Sequence, residues 1–247
     1  MTASPARRIA LVTGGSRGIG AAISRRLAAD GHAVVINYAG RRDDAEALAA
    51  ELNADGAQAV ALQADVADPQ AVRQLFDAIE ARFGGIDVVV NSAGVLQLAP
   101  LADTDDALFE RVIGINLKGA FNVLREAARR VRDGGRIVTL STSVVGIRPE
   151  NYSVYAASKA AVETLGAILS KELRGRSITV NAVAPGPTAT DLFLDGKSPE
   201  LIERLARMNP LERLGTPEDI AGAVAFLAGT EGGWINGQVL RANGGMV

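Results

Sequence analysis

Tyr155 and Lys159 stand four residues apart in the run Tyr152-Ser-Val-Tyr155-Ala-Ala-Ser-Lys159-Ala. On a helix that spacing puts a phenol and an ammonium on one face. A lysine within a few ångströms favours phenolate over phenol, so the pair predicts a tyrosine whose pKa falls from about 10 toward working pH, as a general acid for a carbonyl requires. The alternative is a surface stack of no chemical consequence. Tyr152 has Ala156 four residues on and no lysine, so it is expected in the core or a pocket wall. Upstream, Ser141-Thr142-Ser143 closes a Val/Ile-rich run. On a strand, Ser141 and Ser143 share a face and Thr142 points the other way.

A second constellation follows the first apolar run: Thr13-Gly14-Gly15-Ser16-Arg17-Gly18-Ile19-Gly20, then a helical stretch. Glycines where a strand feeds a helix N-terminus leave backbone N–H groups free to hold a phosphate. Gly14 permits the tight turn, Gly18 the approach of a pyrophosphate, and Gly20 close packing of helix and strand. The spacing is G-x-x-x-G-x-G rather than the usual G-x-G-x-x-G. A P-loop would need Lys and Ser or Thr after Gly20, where Ala21 and Ala22 stand. Gly14 to Gly18 also fits the G-x-S-x-G nucleophile elbow, but a hydrolase needs a late histidine, and the lone histidine is His32.

An NAD site places an acid about 20 residues beyond its glycines, at the end of the second strand, for the ribose 2′-hydroxyl. Here the chain reads Asn37-Tyr38-Ala39-Gly40-Arg41-Arg42. No acid is present, two arginines follow, and Arg17 adds a third cation within the turn. Arginine suits a 2′-phosphate through its bidentate fork, so the cofactor expected is NADP(H). A solvated helix start is the plain alternative for Arg41 and Arg42.

Elements that would position these groups are legible as short Val/Ile-rich runs alternating with Ala/Leu/Arg/Glu stretches of helical period, the pattern of βαβ units in a parallel sheet. Seven strands are expected near Ile9–Thr13, Ala33–Asn37, Ala59–Gln63, Ile86–Asn91, Arg136–Ser141, Ile178–Val183 and Gln238–Arg241. Helices are expected over 18–30, 43–54, 69–83, 105–131, 153–174, 199–207 and 217–228. Asp68-Pro69 and Thr216-Pro217-Glu218-Asp219 read as helix starts. The Gly/Pro/Thr-rich stretch 185–210 is a candidate substrate lid within a single domain, 1–247. With 48% hydrophobic residues the chain can bury one large core. Its 26 basic and 28 acidic residues argue against a nucleic-acid or membrane surface, and the absence of cysteine excludes thiolate chemistry. A polar N-terminus and no apolar stretch of about 18 residues point to a cytoplasmic protein.

Taken together, the glycine turn, the Tyr155/Lys159 pair and the strand-end serine resemble the short-chain dehydrogenase/reductase family over nearly the whole chain. Asn91-Ser92-Ala93-Gly94 is similar to that family's motif after strand four, Asn116 to its helix asparagine, and Pro185-Gly186 to its nicotinamide-side turn. The resemblance implies a Rossmann-type, doubly wound α/β fold with strand order 3-2-1-4-5-6-7. It also implies a homotetramer, with a dimer as the alternative, packed through the long fourth and fifth helices and the last strand. Cofactor contacts are expected from Gly14, Ser16, Arg17, Gly18, Ile19, Gly20, Tyr38 and Arg41. Asp65 and Val66 should face the adenine, Asn91, Ala93 and Gly94 the ribose side, Pro185 and Gly186 the nicotinamide, and Thr188 the nicotinamide carboxamide or the phosphates. Ser143 begins the Ser-Val-Val-Gly146 run that matches the catalytic turn, and is expected to hold the carbonyl oxygen in preference to Ser141. Tyr155 would donate the proton, Lys159 bind the nicotinamide ribose, and Asn116 complete a water relay from the lysine.

Three departures stand out. Ser92 replaces a usual asparagine, the interval from Ser143 to Tyr155 is one residue shorter than in many relatives, and Asn243 stands where an acid is frequent. In overall look the chain is nearest the 3-oxoacyl-acyl-carrier-protein reductases, with sugar and polyol dehydrogenases next. Arg129, Arg130, Arg132, Arg174 and Arg176 could form a patch for an acidic carrier protein, or simply decorate helix ends. Leu192, Phe193 and Leu194 suggest an apolar substrate portion. A non-catalytic NADP(H)-binding regulator is the reading from a different class.

Overall fold

The structure, a computed structural model, describes residues 7–247, so part of the polar N-terminal segment lies outside the described residues. Seven parallel strands form one sheet in the order β3-β2-β1-β4-β5-β6-β7. They are β1 (Ile9–Thr13), β2 (Ala33–Tyr38), β3 (Gln58–Gln63), β4 (Ile86–Asn91), β5 (Val131–Leu140), β6 (Thr179–Pro185) and β7 (Val239–Ala242). Helices α1 (Gly18–Ala29), α2 (Arg42–Ala54) and α3 (Pro69–Phe83) follow the first three strands. Beyond β4 come α4 (Asp106–Val112), a π-helical stretch Ile113–Gly119 and α5 (Ala120–Arg130). The remainder are α6 (Val144–Ile147), α7 (Ser153–Glu172), α8 (Asp191–Leu194), α9 (Pro199–Ala206) and α10 (Pro217–Ala228).

Central strands read as unbroken apolar runs because both faces are covered. Residues Val34, Ile36, Val88, Val90, Val138 and Leu140 pack with α1, α2 and α10 on one face. On the other, Leu11, Val35, Val89, Ile137 and Val180 pack with α3, α5 and α7. Helix starts follow their caps. Asp68 accepts from the Gln70 amide at 2.7 Å ahead of Pro69, and Thr216 and Asp219 form a reciprocal capping box at the head of α10.

The single helix expected over 105–131 is interrupted. A π-helical turn occupies Ile113–Gly119, and Val131 already belongs to β5, which pairs at Ile86, shifts register, and resumes at Val88. The extra residue of the π turn fits with Asn116 facing inward, where its side chain closes a two-bond clamp on the Val95 backbone. At the other end of β5 the strand stops at Leu140, one residue before the expected Ser141, and Ser143 adopts helical dihedrals (φ −63°, ψ −17°) as the residue capping α6. Among the described residues no helix is long and apolar enough to cross a membrane.

Candidate active site

A cavity of about 650 Å³ opens along the carboxyl ends of the strands and receives nearly every residue singled out from the sequence. Lining it are Gly14, Ser16, Arg17, Gly18, Ile19 and Gly20 from the turn after β1, and Tyr38 and Arg41 after β2. Asp65 and Val66 follow β3, Ala93 and Gly94 follow β4, and Pro185, Gly186 and Thr188 follow β6. Tyr155 and Lys159 reach it from α7. Crevices outside the carboxyl ends of a doubly wound sheet, where strand order reverses between β1 and β4, are where such folds bind ligands.

Two of the expected residues lie behind the wall instead. Asn91 is buried, its side-chain oxygen accepting from the Thr13 hydroxyl at 3.2 Å, and Thr13 Oγ1 in turn accepts from the Ser92 and Ala93 amides at 3.1 Å each. The asparagine therefore acts through Thr13 on the ribose-side backbone, and Ser92 enters that network by its amide, so its side chain is free to vary. Asn116 is also buried. It receives the Val95 amide at 2.8 Å and donates to the Val95 carbonyl at 2.9 Å and the Ser158 hydroxyl at 3.3 Å. A Cβ on Gly94 would meet Asn116 Oδ1 at 3.3 Å and Lys159 Nζ at 3.4 Å, which puts the asparagine and the lysine on either flank of this glycine.

The glycine turn is shaped for a dinucleotide phosphate. Gly14 has φ +60°, and a Cβ there would lie 2.9 Å from Ala93 Cα. At Gly20 a Cβ would come 2.1 Å from the Gly14 carbonyl oxygen, so the first turn of α1 sits directly on the loop. Arg17 precedes α1 with an extended backbone and offers no side-chain cap, which leaves the helix's first N–H groups directed at the cavity. A Gly20→Ala substitution is expected to displace this loop, weaken dinucleotide binding at least about tenfold and lower Tm, as checked by cofactor fluorescence titration and thermal melts. Arg41 also lines the cavity and pairs loosely with Asp44 at 3.3 Å. Arg42 is turned toward Glu46 at 3.4 Å and is outside the cavity.

Tyr155 and Lys159 share the cavity face of α7, but the electrostatics differ from the expectation of a phenol drawn down by the lysine. Burial pushes the Tyr155 phenol up to about 12, partly offset by the Thr142 hydroxyl, with the neighbouring Tyr152 adding to the rise. The two rings meet edge to face with centroids 6.3 Å apart. Burial also pushes Lys159 down to about 8, and its ammonium donates to the Leu140 carbonyl at 2.8 Å. Desolvation penalises both charged forms here, an effect set by tertiary packing rather than by helical spacing.

The three strand-end hydroxyls diverge. Ser141 donates to Glu163 of α7 at 2.5 Å. Ser143, expected to meet the carbonyl, donates to the Ala184 carbonyl at 3.2 Å and accepts from Asn243 at 2.9 Å, with no hydrogen bond to Tyr155. Thr142 accepts from the Val144 amide at 3.3 Å and lowers the phenol's pKa, and all three hydroxyls line the cavity. Alternation fails because the extended backbone ends at Leu140. Val95, Ile115, Ile147, Leu205, Met208 and Met246 complete an apolar wall together with Leu192 and Phe193. Leu192 and Phe193 were expected here, Leu205 and Met208 fall in the expected lid 185–210, and Ile147 opens the loop 147–151 expected to wall the site, whereas Val95, Ile115 and Met246 carry no local signal of a shared pocket.

Four arginines of the supposed carrier-protein patch are engaged by acids: Arg129 with Glu126, Arg130 with Asp77, Glu80 and Glu126, Arg132 with Asp87, and Arg176 with Asp133. Their charge is largely balanced at source. His32 lies at the amino end of β2, away from the cavity, its ring against the Leu27 carbonyl at 3.1 Å, so the hydrolase alternative has no base. Among the described residues no cluster of His, Asp or Glu could hold a metal ion.

A parallel sheet of this order, with the glycine turn and the Tyr155/Lys159 pair opening on one cavity, defines a dinucleotide-binding oxidoreductase fold. The family model described as Enoyl-(Acyl carrier protein) reductase matches residues 14–247. The chain is 49% identical to a short-chain type dehydrogenase/reductase of Picea abies, covering 97% of this chain and 92% of that one. It is 45% identical to the NADPH-dependent aldehyde reductase-like protein, chloroplastic, of Arabidopsis thaliana, covering 98% and 95%. A crystal structure of a short chain dehydrogenase from Burkholderia cenocepacia J2315 in complex with NADP superposes with a TM-score of 0.92 at 40% identity, covering 98% and 99%. The chain belongs to the short-chain dehydrogenase/reductase family.

Proposed function

We propose that this protein is an NADP(H)-dependent oxidoreductase that interconverts a carbonyl and a secondary alcohol, with Tyr155 as proton donor. The observation that carries this is the Tyr155 phenol opening with Lys159 on the cavity that begins at the glycine turn. When bound, the nicotinamide supplies or accepts the hydride. The chain's own residues do the rest. Gly14 to Gly20 hold the pyrophosphate on the N-terminus of α1, and Arg17 and Arg41 hold the 2′-phosphate. Lys159 binds the nicotinamide ribose and steadies negative charge as the phenol releases its proton, and Asn116, on the far flank of Gly94, continues the path toward solvent. The NADP-complexed Burkholderia structure and the NADPH-dependent Arabidopsis relative support the cofactor choice.

For substrate we propose a 3-oxoacyl thioester or related ketone, entering over the apolar wall of Leu192, Phe193, Leu205 and Met208 on the segment 185–210, which acts as a lid. An aldehyde is the second reading, favoured by the name of the Arabidopsis relative. Exposed Phe121, Ile168, Trp234 and Leu240 support assembly as a homotetramer, and composition supports a cytoplasmic location. The test is cofactor oxidation with a short 3-oxoacyl thioester, a diketone and an aldehyde under NADPH and under NADH, with sugars tried in reverse. Turnover of the thioester with NADPH preferred supports the reading. Turnover of sugars alone, or an NADH preference, removes the substrate or the cofactor assignment respectively. Arg41→Ala is expected to raise the Kd for NADPH by about 10- to 100-fold and leave that for NADH within about twofold, the loss of one charge-assisted contact.

A further inference from the structure

The chain holds three methionines, and both of those beyond the first residue, Met208 and Met246, line the cavity. Methionine is unbranched, flexible and polarisable, the side chain that moulds itself to an apolar partner. Met208 is 53% exposed, so the fold leaves much of this apolar surface uncovered. The two come from different segments, the base of the lid and the turn after β7, which the fold joins closely. Gly244 and Gly245 have φ +67° and +88°. A Cβ on Gly244 would come 2.6 Å from Asn209 Oδ1, and one on Gly245 would come 3.2 Å from Pro210 Cγ. Positive φ and close approach together leave these positions to glycine, and they set the neighbours of Met246 against the neighbours of Met208.

Each segment is also closed on itself. Asn209 is buried, donates to the Ala206 and Arg213 carbonyls at 3.0 and 2.7 Å, and accepts from the Leu211 amide at 3.0 Å. Asn243 donates to the Ser143 hydroxyl at 2.9 Å and the Val247 carbonyl at 3.1 Å, and its Oδ1 accepts from the Gly245 and Met246 amides at 3.0 and 3.2 Å. A Cβ on Gly186 would meet Asn243 Cα at 2.8 Å, so the turn begins against the nicotinamide-side loop and runs from there to the lid base.

We propose that Met208 and Met246 form a compliant apolar subsite that takes the alkyl portion of a ketone or aldehyde beyond its reacting carbonyl, and that selects substrates by the length of that portion. This rests on the reading of the protein as a carbonyl reductase. Direction follows from the sheet order. The glycine turn and Arg41 follow β1 and β2, whereas Met246 follows β7 at the far edge, so the alkyl chain lies away from the phosphates. A thioether moves no proton, and its contact with an alkyl chain is the same before and during hydride transfer. Such uniform binding acts on KM rather than on kcat. Asn243 is a positioning residue, since it fixes the turn that presents Met246.

The experiment measures kcat and KM at saturating NADPH for methyl ketones whose second alkyl group lengthens from ethyl to octyl, and for the matching unbranched aldehydes. The unaltered chain is compared with Met208→Ala, Met246→Ala, Met246→Leu and Asn243→Ala. In the unaltered chain kcat/KM is expected to rise by roughly fourfold for each methylene that enters the subsite. Each methionine-to-alanine variant is expected to lose about tenfold or more on the longest members, through KM, and less than about threefold on the shortest, with the Kd for NADPH unchanged. Met246→Leu, close in volume, is expected to stay within about threefold throughout. Asn243→Ala is expected to flatten the same chain-length profile, which a mere loss of stability would not do. A loss of equal size at every chain length, or a profile that both methionine-to-alanine variants leave as steep as before, overturns the subsite while the carbonyl reading stands. Turnover of no ketone and no aldehyde by the unaltered chain overturns that reading and the subsite with it.

Discussion

Tyr155→Phe is expected to lower kcat for carbonyl reduction by about 10²–10⁴-fold, the range a positioned general acid supplies, while leaving the Kd for NADPH within about twofold. The phenol lines the cavity with Lys159, and burial holds its pKa at about 12. The sign of that shift matters. A raised value keeps the proton on oxygen throughout the neutral and mildly alkaline range, which suits donation to a carbonyl oxygen. In the reverse direction the same group must first lose that proton, so alcohol oxidation is expected to climb with pH well beyond the point where reduction is already saturated. Stopped-time assays of both directions between about pH 6 and 10, with cofactor binding followed by fluorescence, check the pair of expectations. Unchanged reduction in the Phe variant, or oxidation that is flat over that range, removes Tyr155 from the role. The ring itself is retained in the variant, so its edge-to-face contact with Tyr152 persists and a loss of activity reports the hydroxyl rather than the packing.

Most of the framework was legible because its determinants are local. Val/Ile runs marked all seven strands, and Asp68-Pro69 and Thr216-Pro217 marked two helix starts to the residue. The glycine turn and the missing acid after β2 carried the dinucleotide reading for the same reason, since turn geometry and the residue at a strand end are written into a few consecutive positions. What failed was whatever depended on where a regular element stops. Periodicity continued through Ile113–Gly119, yet one added residue per turn swings Asn116 onto Val95, a contact 21 residues back in the chain. Alternation grouped Ser141 with Ser143 on one face, yet the strand ends at Leu140 and Ser143 already has helical dihedrals. Charge and burial were the other blind spot. Five arginines in sequence look like a patch, and only the folded chain brings Asp77, Glu80, Asp87, Glu126 and Asp133 against four of them.

Lys159→Met is expected to stabilise the cofactor-free protein while damaging the enzyme. The ammonium is buried, 5% exposed, and desolvation brings its pKa from 10.5 to about 8 in the folded chain. Between those values the unfolded chain binds the proton and the folded chain does not, so stability rises with pH through that window and is lower by a constant amount below about pH 8. At one pKa unit per 1.36 kcal/mol the deficit is about 3 kcal/mol at neutral pH. Methionine removes it, at the loss of the hydrogen bond to the Leu140 carbonyl, worth about 1 kcal/mol. The net gain corresponds to roughly 4–8 °C in Tm for a chain of this size at pH 7, shrinking as the buffer approaches pH 10, where the lysine of the parent protein is already neutral in the fold. Turnover is expected to fall by about a hundredfold or more, since nothing then binds the ribose or steadies the ionising phenol. Melts at pH 7, 8.5 and 10 beside steady-state rates test both halves. A variant that is less stable at pH 7 would mean that the ammonium is better solvated, or better paired, than its burial between Leu140 and Gly94 implies. A more stable and inactive one would make Lys159 a group whose charge is held against the preference of the fold, with the cavity gaining a cation at the expense of the core.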